Sequence, residues 1–151
     1  MEIIKGTWHF SFGSTESHGR GLLLKNDGQG GLSPVAASVS GLVIYGEQRG
    51  SAVCDFNGDG RPDLYVGNMF SSAGERIAYQ RRFQAEASEE IRGQFQRHAR
   101  GNTLFENVGD GTFRDVSVER DVTMGRWAWG SPFADINNDG RPDLLVANGY
   151  I

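Results

Sequence analysis

Apolar side chains along this chain fall in short alternating runs separated by Gly, Asn and Asp, a pattern that predicts half-buried strands joined by turns. In "TWHFSF" the alternation puts Trp8, Phe10 and Phe12 on one face, which predicts a strand in the first sheet. "LFENVGDGTFRDVSV" predicts a hairpin, because Asp110-Gly111 supplies the positive backbone φ that a tight turn needs between two alternating segments. Leu22 to Leu32 reads as an earlier copy of that hairpin. Two further strand pairs are expected, "GSAVC" with "DLYVGN" and "WAWGSPFA" with "DLLVAN". No apolar run approaches the ~18 residues of a membrane-spanning helix.

Residues 69 to 101 break the period-two pattern and predict helix. Ser72 and Glu75 have the spacing of a capping box, and strong helix formers follow. Tyr79, Phe83, Ala87, Ile91, Phe95 and Ala99 recur at every fourth residue. That stride drifts about 40° per step on a 3.6-residue helix, so one straight helix cannot bury them all. Gly93 is the expected break, giving a longer helix and then a short one packed on the outside of a sheet. The segment holds six of the fifteen basic residues, and a charged amphipathic excursion reads as a solvated lid or packing element rather than a specific binding surface.

The chain also repeats itself. "DFNGDGRPDLYVGN", Asp55 to Asn68, returns eighty residues later as "DINNDGRPDLLVAN", Asp135 to Asn148, with ten of fourteen positions identical. "LLLKNDGQGGLSPV", Leu22 to Val35, matches "TLFENVGDGTFRDV", Thr103 to Val116, through Asn26 and Asn107, Gly28 and Gly109, Gly30 and Gly111, and Leu32 and Phe113. The unit is four short strands, and radially repeated four-stranded blades are one of the few ways an antiparallel protein protects its sheet edges. The expected fold class is therefore all-β: β-propeller blades, about two of them in a partial propeller, with a helical insertion between the repeats. At 151 residues a single domain is the default, so 1–151 is read as one partial β-propeller domain. Its repeat units are 20–68 and 102–149, and its helical insertion is 69–101.

Composition supports many turns, with 22 glycines against 4 prolines. The net charge is −4 with no run of like charge, so no basic face suggests a nucleic-acid partner. Six of the ten aspartates lie in the two repeated loops, and the acidity therefore belongs to the repeats. The single cysteine, Cys54, rules out an intrachain disulfide and is expected to be a small buried hydrophobe. "MEIIKGTWHF" lacks the basic start and continuous apolar middle of a signal peptide.

The repeated loop carries the candidate chemistry. Counted from its first aspartate, it offers side-chain oxygens at positions one, three, five and nine: Asp55, Asn57, Asp59 and Asp63, and again Asp135, Asn137, Asp139 and Asp143. Arg61 and Arg141 stand at position seven, where a backbone carbonyl rather than the guanidinium is the expected ligand. Gly60 and Gly140 at position six suit the sharp bend. A hard cation takes six to eight oxygens at ~2.3–2.6 Å, which this order of donors can begin to supply. An EF-hand is excluded, since its bidentate Glu at position twelve would fall on Val66 or Val146 and its exit helix on strand-like segments. Pro62 and Pro142 agree, favouring an extended exit. A dockerin follows each loop with a helix and keeps its loops closer together.

The plain alternative is that Asp, Asn and Gly merely make good turns, but two copies with equal spacing and equal exits argue for a site. Without His or Cys ligands in the loops a transition metal is disfavoured, and the number of protein oxygens disfavours Mg²⁺. Two Ca²⁺ sites are expected, with a structural role, because three converging carboxylates repel unless a cation neutralises them.

With the acidic loops, the "GDGTF" hairpin and "WGSPFADINNDGRPDLLVANG" in view, the sequence resembles the FG-GAP/VCBS repeat family, and among it bacterial members related to cartilage acidic protein. The resemblance spans about residues 20 to 35, 50 to 68 and 102 to 149. It implies a calcium-stabilised propeller, often seven-bladed as in the integrin α-subunit head, with roles in adhesion and in protein or carbohydrate binding at an extracellular or periplasmic location. Two departures stand out: "YGEQRG" replaces Trp-Gly ahead of the first loop, and an ASPIC/UnbV region is absent. Two blades and part of another do not close a ring, so further blades are expected from a longer chain or from other copies of this one.

No GxSxG, HExxH, P-loop or dinucleotide fingerprint is present, so no catalytic residue is assigned and the chain is not expected to be an enzyme. His9, His18 and His98 stand isolated. The rival reading is a non-catalytic propeller portion of a polysaccharide-active enzyme. Trp127 and Trp129 could then stack on sugar rings, although alternating aromatics ahead of a strand more often pack between blades.

Overall fold

The computed structural model describes residues 3–5, 22–46, 48–69 and 72–149. The strand expected at Trp8, Phe10 and Phe12, together with His9 and His18, lies outside the described residues. Strand β1 (Ile3–Lys5) pairs antiparallel with β2 (Leu22–Asn26), and β2 with β3 (Leu32–Val35), giving a three-stranded sheet. A one-turn helix, α1 (Ala37–Ser40), leads to β4 (Gln48–Cys54) and β5 (Asp63–Asn68). Helices α2 (Ser72–Ala78) and α3 (Glu89–Ala99) intervene before β6 (Thr103–Gly109) and β7 (Thr112–Asp115). The order β4-β5-β6-β7 makes one four-stranded antiparallel sheet. Four short strands follow: β8 (Ala128–Gly130), β9 (Phe133–Ala134), β10 (Asp143–Leu144) and β11 (Ala147–Asn148). There β9 pairs with β10, and β8 with β11.

The registers reveal how the repeat is deployed. Asp143↔Ala134 and Leu144↔Phe133 reproduce Asp63↔Cys54 and Leu64↔Val53 eighty residues earlier. Even the irregularity recurs: the register shift between Gln48 and Gly50 opposite Gly67 and Asn68 has its counterpart at Ala128 and Gly130 opposite Ala147 and Asn148. At the other end, Ile3↔Leu24, Ile4↔Leu23 and Lys5↔Leu22 match Leu64↔Phe105, Tyr65↔Leu104 and Val66↔Thr103. Strand β1 therefore stands to β2 as β5 stands to β6. The described chain holds the last three strand positions of one sheet, all four of the next, and the first two of a third.

Sequence repeat and sheet are thus offset. The pair β4–β5 does not join the hairpin written before it but pairs forward, across the helices, with the hairpin β6–β7.

Alternation along β5 and β6 sends neighbouring side chains to opposite faces, and both faces are covered. Leu64, Val66 and Phe105 pack with Leu23, Leu42 and Ile44 from the first sheet and its connection, flanked by Val35 and by Phe113 of β7. Tyr65, Leu104 and Val116 form the other cluster, with Phe56, Val122, Phe133, Leu144 and Val146 packed against it. Tyr65 and Phe105 have no exposed surface. Each fully buried side chain of this size contributes about 1.5–3 kcal/mol. The Tyr65 hydroxyl is satisfied by donating to the Val122 carbonyl at 3.0 Å, and its ring meets Phe133 edge to face at 6.3 Å. Burial pushes the phenol up to about 12.

The insertion is helical as expected, but the helices are divided elsewhere. The break falls between Ala78 and Glu89, and Gly93 sits inside α3. The longer helix is the second. Ser88 decides this, because its hydroxyl caps α3 by accepting from the Ile91 amide at 3.3 Å. No residue of α3 is buried. The base of the excursion is clasped by two buried asparagines: Asn102 Oδ1 accepts from the Asn68 amide at 2.8 Å, and Asn68 Nδ2 donates to the Gly101 carbonyl at 2.7 Å.

Candidate metal centre

Eight of the ten residues singled out in the repeated loops fall in two β-to-β connections, β4 to β5 and β9 to β10, and the other two, Asp63 and Asp143, open β5 and β10. The two loops share six internal hydrogen bonds, one of them from Asn57 Nδ2 to Asp59 Oδ2 at 2.9 Å and from Asn137 Nδ2 to Asp139 Oδ2 at 3.2 Å, and the first loop adds a bond from the Gly58 amide to Asp55 Oδ1 at 2.8 Å. In the first, Asp55 Oδ1 accepts from the Asp59 amide at 3.0 Å and its Oδ2 from Gly60 at 2.8 Å. Asn57 Oδ1 accepts from Asp59 at 3.0 Å, Asp59 Oδ1 from Arg61 at 2.8 Å, and Asp63 Oδ2 from Phe56 at 3.1 Å. In the second, Asp135 accepts from Asp139 and Gly140 at 3.0 and 2.8 Å. Asn137 accepts from Asp139 at 3.0 Å, Asp139 from Arg141 at 2.9 Å, and Asp143 from Ile136 at 3.1 Å. Short polar side chains that cap nearby amides wind the chain into a tight curl, and Gly60 (φ 81°) and Gly140 (φ 82°) take the left-handed geometry it demands.

The surroundings of the two loops differ. The first is docked on the hairpin β6–β7. Asp63 Oδ1 accepts from the Asn107 amide at 2.8 Å, Arg61 Nε donates to the Asn107 carbonyl at 2.8 Å, and Asn107 Nδ2 donates to the Pro62 carbonyl at 3.1 Å. Asn57 Nδ2 donates to Glu106 Oε1 at 3.1 Å, while Glu106 Oε2 holds Arg114 at 2.6 Å. The Arg61 guanidinium also folds back on Asp59 Oδ2 at 2.6 Å. Among the described residues the second loop has no bonds corresponding to these. Asp63 is buried, whereas Asp143 is half-buried.

Charge is concentrated accordingly. Burial pushes the Asp63 carboxyl up, and the nearby Asp59 and Asp55 charges add to that, against the amide bonds from Asn107 and Phe56. For Asp59 burial also acts upward, but the Arg61 amide, Asn57 and the Arg61 charge together leave it below the ordinary carboxylate range.

These features allow a test of fit to a divalent cation. The donor set fits a hard ion, with carboxylate and amide oxygens at alternate positions and no soft ligand in the loop. The side chains do not, however, form a closed ligand shell: among the described residues no group of three or more His, Cys, Asp or Glu is disposed to hold a metal ion. The loop amides occupy carboxylate oxygens instead.

Sequence reasoning missed Asn107, Glu106 and the guanidinium of Arg61. Asn107 had a visible signal, because it recurs in the earlier hairpin as Asn26, where the side chain likewise caps the turn: Asn26 Oδ1 accepts from Gly28 at 2.7 Å and Asn107 Oδ1 from Gly109 at 3.0 Å. Glu106 had none, its counterpart being Lys25.

Three other expectations are refined. Cys54 is half-buried rather than buried, and its thiol is pushed up by burial and by the Asp55 and Asp63 charges. Trp127 and Trp129 are 40% and 51% exposed. Ala128 between them takes the inward position with no exposed surface, close against Gly67, where an indole has no room. The guanidinium of Arg49 lies 5.0 Å over the Trp129 ring. His98 is exposed on α3.

Comparison with known families places this geometry. Residues 49–79, covering β4, the first loop, β5 and α2, match the FG-GAP repeat model. Residues 95–146, covering the hairpin β6–β7 and the second loop, match the FG-GAP-like repeat model. Together the two matches take in more than half of the chain. No curated protein matches it.

Proposed function

Because this chain belongs to the FG-GAP repeat family, whose repeats are β-propeller blades, we propose that it is a calcium-stabilised propeller module presenting a surface to a protein or carbohydrate ligand. The chain is a β-propeller-type repeat module of small antiparallel sheets. The observation that supports the calcium reading is the set of internal hydrogen bonds shared by two loops whose oxygens come at alternate positions, one of them placing the Asp55 and Asp59 charges near a buried Asp63.

In this reading Asp55, Asn57, Asp59 and Asp63, with the Arg61 carbonyl, hold one ion. Asp135, Asn137, Asp139 and Asp143, with the Arg141 carbonyl, hold the other. The ion supplies positive charge that offsets carboxylate repulsion, and the chain's residues fix the path from one strand to the next. Titrating Ca²⁺ into chelator-treated protein is expected to raise Tm, and Asp59→Ala combined with Asp139→Ala to abolish the rise. A parent protein whose Tm ignores millimolar Ca²⁺ would overturn the calcium reading.

The ligand-binding role is supported by the family's repeat architecture and by the two exposed indoles, Trp129 in β8 and Trp127 just before it. An extracellular or periplasmic setting suits loops of few protein ligands, which belong to the weak, ~10⁻⁴–10⁻³ M class of calcium site. The exposed Trp127 also favours a second version, in which the module is the non-catalytic portion of a polysaccharide-active protein. Calcium-loaded chain is expected to bind on protein or glycan arrays, and silence on both would remove the ligand role.

A further inference from the structure

We propose that the Asn57–Gly58 peptide is a modification site, at which Asn57 deamidates through a cyclic imide when the first repeated loop opens, and that Glu106 is a positioning residue that guards it. This goes beyond the repeat architecture and does not rest on the calcium reading.

The Gly58 nitrogen, its proton passed to solvent base, attacks Asn57 Cγ. The N–Cγ bond forms, the Cγ–Nδ2 bond breaks, and Nδ2 takes up a proton and leaves as ammonia. Water then opens the imide: cleavage at the side-chain carbonyl gives aspartate, and cleavage at the main-chain carbonyl gives isoaspartate. The attack needs an uncrowded nitrogen, and a residue without a Cβ provides one. Asn57 and Asn148 are the two asparagines of the chain followed by glycine. Asn57 and Gly58 are both exposed, and a Cβ built on Gly58 would meet nothing within 4 Å, so water and base reach the peptide. In the second loop Asn137 is followed by Asn138, whose side chain crowds the same approach.

The folded loop engages both reacting groups elsewhere. The Gly58 amide donates to Asp55 Oδ1 at 2.8 Å, and a carboxylate acceptor opposes loss of that proton. The Asn57 carboxamide is pinned at both ends: Oδ1 accepts from the Asp59 amide at 3.0 Å, while Nδ2 donates to Asp59 Oδ2 at 2.9 Å and to Glu106 Oε1 at 3.1 Å. Glu106 comes from strand β6 and is itself held by Arg114 at 2.6 Å. Turning Cγ onto the Gly58 nitrogen breaks these bonds, so reaction proceeds from the locally opened loop and its rate follows the open population. Both products then work against reclosure. Aspartate puts a negative charge where Nδ2 had donated to two carboxylates. Isoaspartate adds a methylene to the main chain and shifts the Asp59 and Gly60 amides away from Asp55.

The test incubates the whole chain with chelator at mildly alkaline pH, folded and in concentrated urea, and follows each asparagine by peptide mass mapping that resolves isoaspartate. In urea Asn57 and Asn148 are expected to convert at similar rates, ahead of Asn137. In the folded chain Asn57 is expected to convert at least roughly tenfold more slowly than in urea, since each such bond is worth a factor of about two to ten. Glu106→Ala is expected to speed conversion of Asn57 in the folded chain by about two- to tenfold, with its rate in urea and the folded rate of Asn148 unchanged. Glu106→Gln keeps an acceptor oxygen and is expected to stay close to the parent. The Tm of each variant and the Asn148 rate separate local release of Asn57 from general unfolding. Converted chain, separated by its added negative charge, is expected to melt below the parent. Asn57 that stays intact in urea while Asn148 converts, a folded rate equal to that in urea, an unchanged folded rate in Glu106→Ala, or converted chain that melts like the parent would each overturn the proposal.

Discussion

Asp115, at the end of β7, receives Arg100 Nη2 at 2.6 Å and, more loosely, Arg97 Nη2 at 3.9 Å, both from the helical insertion. Burial pushes its carboxyl up, but Arg100 and the Ser117 hydroxyl and amide outweigh burial and leave it below the ordinary range. A carboxylate with a folded pKa below its unfolded one adds stability that is present above the unfolded value and lost as pH falls through the folded value. Asp115→Asn is therefore expected to lower unfolding free energy near pH 7 by roughly 1–3 kcal/mol, the usual cost of breaking a partly buried charged hydrogen bond. Urea unfolding at pH 7, 5 and 3 checks the sign: the gap between parent and variant should stay constant down to about pH 4, near the unfolded reference, and shrink below it. A gap that widens with acid would rule out this account. The same contact gives Arg97 and Arg100 a role the sequence did not suggest, since nothing in a helical charge pattern points to one carboxylate on a distant strand.

At the scale of elements, local chemistry was readable and long-range pairing was not. "DLYVGN" is strand β5 to the residue, because a buried central strand needs only its own apolar run and its flanking loop to be recognised. The acidic loops were readable for the same reason, their six shared bonds all spanning seven residues or fewer. The forward pairing of β5 with β6 across the insertion was hidden, because Leu64↔Phe105 is a contact between segments whose individual periodicities fit several partners. The helix break was misplaced at Gly93 since an isolated glycine is tolerated within a helix, whereas the Ser88 cap actively starts one. The clasp at the base of the insertion was likewise invisible until Asn68 and Asn102 met. Gly125 belongs to that clasp: a Cβ there would stand 1.8 Å from Asn102 Nδ2 and 3.1 Å from a Val146 methyl carbon. The glycine thus lets the third sheet close over the junction between insertion and blade.

Across the whole molecule, stability should be graded by how many neighbours each strand has. Strands β5 and β6 are paired on both edges and β5 is buried throughout, while β9 and β10 are two residues each with one partner apiece among the described residues. Amide exchange reports the free energy of local opening, which is greatest where both faces and both edges are covered. The amides of Leu64, Tyr65 and Val66 are expected to exchange slowest. Those of Phe133, Ala134 and Leu144 should exchange faster by several orders of magnitude, although Phe133 and Leu144 pack on the Tyr65 face. If calcium fixes the path from β9 to β10, adding it should slow exchange there more than in β5, whose loop is already held by Asn107 and Glu106. Equal protection of β5 and β9–β10 without calcium would mean that the two-residue pair β9–β10 is as stable as the four-stranded sheet, and the number of paired neighbours would then not set local stability in this protein.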